Sequence, residues 1–229
     1  MPSFEGFPKD CIPYLKKLAK NNNRKWFNDH KDDYENKVRE PALAFIEAMG
    51  PEIHKISPYF KAVPKKVGGS LMRVYRDTRF SKDKTPYKTN IGIQFRHEAG
   101  KDVHAPGFYV HIEPGGCFIG AGIWHPESKV LRQIRDFIAD NPSSWKKATR
   151  GAGFKRKWEL RGDSLIRPPK GFDPEHELLA DLKRKDFIAI SENPEDIINS
   201  KNFIKTVGRS FKQTEALMSY LCMAVEQPF

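Results

Sequence analysis

The segment from Arg73 to Lys88 concentrates the side chains in this chain whose chemistry goes beyond solubility. It contains six Lys or Arg residues and two Asp residues, together with tyrosines and several Ser or Thr hydroxyls. A guanidinium group offers a planar fork of N–H donors to a carboxylate or a phosphate, and an ammonium group offers a point charge. The composition therefore predicts a site that holds an anion through directed hydrogen bonds, without specifying a reaction.

The candidate ligand-binding residues of this segment are Arg73, Arg76, Arg79, Lys84 and Tyr87. Asp77 and Asp83 are weak candidates for a catalytic acid or base or a metal ligand, because ion pairing with the arginines is the more common role. In a regular strand, Arg73 and Arg76 point to opposite faces. The arginines can converge only if the strand bends or ends near Arg76.

The charge of the chain is unevenly distributed. The formal net charge is +11, and residues 61–88 hold nine cations against two carboxylates, which is +7. A basic surface favours nucleic acid, anionic lipid or phosphorylated small molecules as partners. The first hypothesis is a domain that binds a small anion bearing phosphate or carboxylate, and whether it is an enzyme stays open.

Two other functions stay open. A nucleic-acid-binding module would add two further basic runs, residues 155–157 and 183–185, to the charged segment. However, no zinc finger, RNP-type strand or basic zipper supports that interpretation. A protein-interaction domain without chemistry is the third hypothesis, and a large exposed apolar patch on helix 24–49 or on the last helix would favour it.

The remaining motifs predict no metal and no cofactor. The four histidines of the central region have neither H-x-H nor H-E-x-x-H spacing, and no phosphate loop, dinucleotide fingerprint or G-x-S-x-G elbow occurs. These histidines are His97, His104, His111 and His125. Three dispersed cysteines, at positions 11, 117 and 222, suit buried thiols in a reducing compartment. Without a signal-peptide pattern or an apolar run of roughly 18 residues, the sequence predicts a cytoplasmic protein.

Hydrophobic periodicity predicts the elements that must position the charged segment. Helices are expected at 10–20, from Asn22 or Asn23 to Gly50-Pro51 with a kink or restart at Pro41, at 128–139, at 142–149, from Asp173, and from Ser200 onward. Strands are expected at 71–75, 91–96, 107–113, 117–124, 157–160 and 186–190. The pair Gly120 and Gly122 shares one strand face, where packing under an aromatic ring such as Phe108 is expected.

Because the strands cluster in the middle of the chain and do not alternate with helices, they disfavour a doubly wound sheet. The sequence predicts a single α+β domain over residues 1–229. Its mainly antiparallel sheet of about five strands would be packed by helices from the N- and C-terminal parts.

The run Arg73-x-x-Arg-Asp-x-Arg-Phe80, continued by Asp83-Lys84 and Tyr87, resembles the signature of a bacterial family of unknown function that also occurs inside longer fungal proteins. Other similar segments are residues 22–27, 68–70, 105–109, 120–124 and 167–173, in the family's order. The resemblance implies one domain of about this length, centred on residues 73–87, and it implies no activity, cofactor or catalytic residue.

Overall fold

The computed structural model describes residues 4–100 and 105–229, so His104 lies outside the described residues. A six-stranded antiparallel sheet is its centre, with the strand order β1-β2-β3-β4-β6-β5. The strands are β1 (Phe60–Lys61), β2 (Ile91–His97), β3 (Gly107–Glu113), β4 (Gly116–Ile123), β5 (Glu159–Arg161) and β6 (Phe187–Asn193). The fold is therefore the predicted single α+β domain with an antiparallel sheet, which has six strands where the sequence predicted about five.

Ten α-helices are described around this sheet. They are α1 (Cys11–Lys20), α2 (Arg24–Asp29), α3 (Lys31–Tyr34), α4 (Glu40–His54), α5 (Ser128–Asp140), α6 (Pro142–Arg150), α7 (Ala152–Lys155), α8 (Leu179–Leu182), α9 (Phe203–Gln213) and α10 (Glu215–Ala224). A π-helical turn covers Glu35–Arg39 and a 3-10 helix covers Glu195–Asn199. None of the described helices is both long and apolar enough to cross a bilayer.

One face of the sheet carries the core. Phe95 and Phe108 lie opposite each other on β2 and β3, and both contact Phe211 of α9, with ring centroids 6.2 and 4.8 Å away. Phe187 of β6 packs edge-on against Trp145 of α6. All five rings are fully buried. From the N-terminal part, α4 also contacts β1 and β2, so helices from both parts of the chain pack on the sheet, as predicted.

The N-terminal helices need two corrections. The helix predicted from Asn22 or Asn23 is interrupted at His30, between α2 and α3, before the expected restart at Pro41. The Asn23 side chain accepts a hydrogen bond from the Trp26 amide at 3.0 Å and caps α2. The π-helical turn precedes Pro41, where the wider turn accommodates the missing N–H and the bulk of the ring. The prediction that Gly50-Pro51 ends the helix is wrong: α4 continues to His54, because the fully buried Ile53 fixes one more turn to the core.

Three further expectations need correction. Residues 71–75 form no strand, since Leu71 bridges to Ile93 while Tyr75 bridges to Tyr87, so the segment changes partners before a ladder can form. Asp173 starts no helix; its carboxylate accepts the Glu175 amide in a turn, and α8 begins only at Leu179. The last helix is two helices, because the chain breaks at Thr214, a fully buried residue whose hydroxyl donates to the Phe211 carbonyl.

The predicted hairpin at residues 114–116 is confirmed between β3 and β4. Gly120 lies opposite Tyr109, so the aromatic ring beside this glycine is Tyr109 and not Phe108, which is paired with Ala121 on the other face. Gly122 has a φ of +137°, and an added Cβ would lie 2.0 Å from the Phe187 carbonyl oxygen. Close approach of the β6 backbone therefore requires glycine at position 122.

We expect Gly122→Ala to lower the free energy of unfolding by roughly 3 kcal/mol or more, because the new methyl group meets backbone that cannot move without breaking the β4–β6 ladder. Chemical denaturation measures this change. Gly153→Ala in α7 is the matched control, since no atom lies within 4 Å of an added Cβ there. A loss below about 1 kcal/mol for Gly122→Ala would contradict the constraint.

Candidate functional site

Residues 73–88 form a narrow excursion from the edge of the sheet. Residue Leu71 lies beside β2 and bridges to Ile93, and the chain moves away from the strand after this bridge. The returning part of the segment pairs with the outgoing part through two backbone hydrogen bonds. The Arg76 amide donates to the Pro86 carbonyl (2.9 Å), and the Lys88 amide donates to the Val74 carbonyl (2.7 Å). The two sides of the excursion are thus fixed to each other at its base.

A buried ring and an amide clamp hold this base against the N-terminal helices. Tyr87 is 3% exposed, and its ring stacks on Phe27 of α2 with centroids 4.0 Å apart. Asn22, in the turn between α1 and α2, binds the same residue twice. Its Nδ2 donates to the Tyr87 carbonyl at 2.9 Å, and its Oδ1 accepts from the Tyr87 amide at 3.0 Å.

An open cleft of about 430 Å³ lies between the end of α1 and this base. Its lining residues are Ala19, Asn22, Arg76, Asp83, Thr85, Tyr87, Lys88, Thr89 and Asn90. The cleft therefore brings together three of the residues singled out from the sequence, Arg76, Asp83 and Tyr87. Arg73, Asp77, Arg79 and Lys84 lie outside its lining.

Arg76 faces the cleft as half of an ion pair. Its Nη1 donates to the Asp83 carboxylate and to the Thr85 hydroxyl. The Arg76 guanidinium, followed by the Thr85 amide and hydroxyl, lowers the pKa of Asp83 to about 2. The carboxylate is therefore ionised at neutral pH. Among the described contacts, only Nη1 of Arg76 has a partner, so Nε and Nη2 are available to a ligand.

The tip of the excursion carries a second ion pair, whose residues are not part of the cleft lining. Arg79 donates from Nε and Nη2 to Asp77 at 2.9 and 2.6 Å, and this pairing holds the pKa of Asp77 far below its usual range. The Arg79 side chain is 77% exposed. Lys84 donates to the Thr78 carbonyl at 2.8 Å. Arg79 and Lys84 thus make contacts within the tip, and their role as ligand-binding residues stays a prediction.

Lys88 is a second cation of the cleft, and it is not among the ligand-binding residues predicted from the sequence. It is half-buried, and burial followed by the nearby charge of Arg73 lowers the pKa of its ammonium group. No carboxylate among the described residues pairs with it. Arg73 is exposed and has no described ion pair of its own. The two positive charges consequently repel each other beside the cleft, and the carboxylate that interacts with Arg73 is Asp77, which already pairs with Arg79.

Two other contributions to the cleft were not expected from the sequence. Asn22 was weighed as a helix cap, whereas Asn23 is the cap and Asn22 holds Tyr87. Thr85 is not among the predicted site residues, yet its hydroxyl accepts a hydrogen bond from Arg76 and orients it. The proximity of an Asn run to the charged segment cannot be inferred from spacing, because 65 residues separate Asn22 from Tyr87.

The described histidines and cysteines form no metal centre. His97 contacts the Pro228 carbonyl, His111 the Tyr109 hydroxyl and His125 the Asp186 carboxylate. No group of three or more potential ligands is found within residues 4–100 and 105–229. The three cysteines are free and buried, and burial raises the pKa of each thiol to about 12.

The model of one protein family, DUF2461, matches residues 10–220 of the chain. Its description is "conserved hypothetical protein", which names no activity. No curated protein matches the chain. The family match confirms the resemblance inferred from the motifs and extends it over almost the whole domain.

We expect Asn22→Ala to free the base of the excursion, because both backbone groups of Tyr87 lose their partner at once. The predicted loss in unfolding free energy is about 1–3 kcal/mol, and the Tyr87 amide should exchange with solvent much faster in hydrogen-exchange NMR. Asn21→Ala is the matched control, since Asn21 is exposed and bonds only within α1 and its C-terminal turn. Equal protection of the Tyr87 amide in all three proteins would contradict the clamp.

Proposed function

The chain belongs to the DUF2461 family of conserved hypothetical proteins, and we propose that it binds a small anion with a phosphate or carboxylate group in the cleft beside Tyr87. The volume of about 430 Å³ lies in the roughly 300–1,000 Å³ range of small-molecule sites. The proposal concerns binding, because the ionised Asp83 is held as a counterion and is poorly suited to accept a proton.

The single observation that carries the proposal is Lys88. A partly desolvated ammonium group without a counterion costs free energy, and the nearby Arg73 increases that cost. A bound anion would offset both the desolvation of the ammonium group and its repulsion by Arg73. The cleft lining contains two cations, Arg76 and Lys88, and one carboxylate, Asp83, which leaves one positive charge in excess.

The planar guanidinium group of Arg76 can orient a ligand, whereas the ammonium group of Lys88 acts as a point charge. Its Nη1 is fixed by Asp83 and Thr85, so the plane of the guanidinium group is set before a ligand arrives. The donors Nε and Nη2 can then meet two oxygens of one phosphate or carboxylate group. Thr89 and Asn90 add polar side chains to the same lining.

We expect inorganic phosphate to shift the backbone amide resonances of Lys88, Thr89 and Asn90 in a saturable NMR titration. Lys88→Gln should weaken the affinity about tenfold, since one charge-assisted contact is lost, and Arg76→Gln should weaken it similarly. A parallel titration with acetate distinguishes a phosphate from a carboxylate preference.

Lys129→Gln is the control variant, because it removes the same charge from an exposed position on α5. Its phosphate affinity should equal that of the unmodified protein. Equal weakening by Lys129→Gln and Lys88→Gln would indicate nonspecific attraction and would contradict the cleft. An unchanged affinity of Lys88→Gln would also contradict it.

A second candidate function, binding of single-stranded nucleic acid, draws support from a different surface. Lys157 donates to Ser210 at 2.5 Å and Trp158 donates to Gln213 at 3.3 Å, so the basic run 155–157 lies along α9. The exposed side of α9 carries Lys205, Arg209 and Lys212, of which Lys212 pairs with Glu215. Exposed cations along one helix, with a second basic run beside it, suit a phosphate backbone.

If this strip binds nucleic acid, the affinity for a single-stranded oligonucleotide should fall steeply with salt. The double variant Lys205→Gln/Arg209→Gln should reduce the slope of log affinity against log salt by about 1.4. Fluorescence anisotropy measures it, with Lys31→Gln/Lys129→Gln as the charge-matched control. Absence of measurable binding at low salt would remove this candidate.

The hypothesis of a protein-interaction domain lacks the apolar patch that it requires. The large apolar side chains that are exposed among the described residues are Val67, Tyr75, Phe80, Trp124, Ile166 and Met223. Tyr75 and Phe80 lie on the excursion of residues 73–88, Met223 lies on α10, and none of the six lies on the helices between residues 24 and 49.

A further inference from the structure

The lining of the cleft beside Tyr87 contains more polar side chains than one anion can occupy. Only Ala19 and the buried Tyr87 lack a charged, amide or small hydroxyl side chain. Small-molecule sites are usually lined mainly by apolar side chains, with a few polar groups that orient the ligand. A phosphate ion would also fill only part of about 430 Å³. A ligand that fills the cleft therefore has a body as well as an anionic end, and that body forms hydrogen bonds.

Asp83 keeps one acceptor position for such a body. Its Oδ2 accepts hydrogen bonds from Arg76 and from the Thr85 hydroxyl (3.0 Å), and its Oδ1 accepts the Thr85 amide at 2.9 Å. A carboxylate has about four lone-pair positions. One position on Oδ1 is therefore not used by the described contacts, and the side chain is 55% exposed.

The charge of Asp83 limits which donor can fill that position. The carboxylate is ionised at neutral pH, because Arg76 and Thr85 lower its pKa to about 2, so it repels a second anionic group of a ligand. An ammonium group would lie beside the Arg76 guanidinium, which already neutralises Asp83, and the two cations would repel each other. A hydroxyl group donates a hydrogen bond without adding charge, so it fits this position best.

Thr89 and Asn90 extend the polar lining from Lys88 to the start of β2. Both are half-buried, and their side chains make no hydrogen bond to another described residue. A threonine hydroxyl and an asparagine amide each donate and accept. Ligand hydroxyl groups do the same, so a hydroxylated body can satisfy these two side chains.

The two cations of the cleft favour phosphate over carboxylate as the anionic end. Nε and Nη2 of Arg76 are available for two oxygens of one group, and Lys88 is a separate cation that can bind a further oxygen. A phosphate monoester presents three terminal oxygens, whereas a carboxylate presents only two.

We propose that the ligand of this cleft is a phosphorylated sugar or polyol. Its phosphate group binds Arg76 and Lys88, and its hydroxyl groups donate to Asp83 and bind Thr89 and Asn90. This assignment rests on the anion site proposed above and concerns recognition without a covalent step.

Four probes test the assignment by isothermal titration calorimetry of the full chain: inorganic phosphate, ribose 5-phosphate, phenyl phosphate and phosphoethanolamine. The three esters share the anionic end and differ in the body, which is hydroxylated, aromatic or cationic. We expect ribose 5-phosphate to bind at least about tenfold more tightly than each of the other three, which is the effect of one hydrogen bond to a charged acceptor.

Asp83→Asn tests the role of the carboxylate, and the readout is the dissociation constant for inorganic phosphate divided by that for ribose 5-phosphate. This ratio should fall about fivefold, because a neutral amide is a weaker acceptor than a carboxylate. Asp77→Asn is the matched control, since Asp77 is also paired with an arginine but lies outside the cleft lining. It should leave the ratio unchanged.

The outcomes separate this assignment from the anion site on which it rests. If neither inorganic phosphate nor ribose 5-phosphate binds, both are wrong. If inorganic phosphate binds and either phenyl phosphate or phosphoethanolamine binds as tightly as ribose 5-phosphate, the sugar or polyol assignment alone is overturned. An equal fall of the ratio in Asp83→Asn and Asp77→Asn would also overturn it, because the charge of the excursion would then determine selectivity.

Discussion

The arrangement of the charged excursion depends on a neutral interaction, the enclosure of Tyr87 between Phe27 and Asn22. The ring is buried against an aromatic side chain of α2, and both backbone groups of the residue are bound by one amide. Burial of a ring of this size and two satisfied backbone groups outweigh the entropy of ordering a loop end. Six cations within sixteen residues repel one another, so an apolar anchor is needed to hold them in one conformation.

Local ion pairing then decides which charges face the cleft. Asp77 satisfies Arg79 at the tip and Asp83 satisfies Arg76 at the base. These pairs are exposed or half-exposed, so their main effect is on orientation, since surface ion pairs contribute little to stability. What distinguishes the cleft is therefore Lys88, a partly desolvated cation that no described carboxylate balances. The proposed anion would supply the missing charge.

The sheet separates two regions with different chemistry. At one end of β2 lies the positively charged cleft, and past the other end lies the His125–Asp186 pair. The face that carries Phe95, Phe108 and Phe187 is covered by helices, as the contacts of Phe211 and Trp145 show. A rigid antiparallel sheet with functional groups on its connecting loops is a common way to position side chains.

The sequence alone determined the fold class, the hairpin at residues 114–116, the boundaries of α1, α5 and α6, and the charged segment, because these depend on local periodicity, caps and composition. It failed where distant contacts override a local signal: the extra turn at Ile53, the divided strand at residues 71–75 and the break at Thr214 each follow from packing or pairing with other elements. The residues that line the cleft could not be predicted for the same reason, because contacts between distant parts of the chain bring them together. Asn22 reaches Tyr87 across 65 positions, and His125 meets Asp186 across 61. Composition could indicate that residues 73–88 carry excess charge, but only the tertiary structure decided which cations find counterions and which do not, since ion pairing depends on distances that sequence spacing does not define.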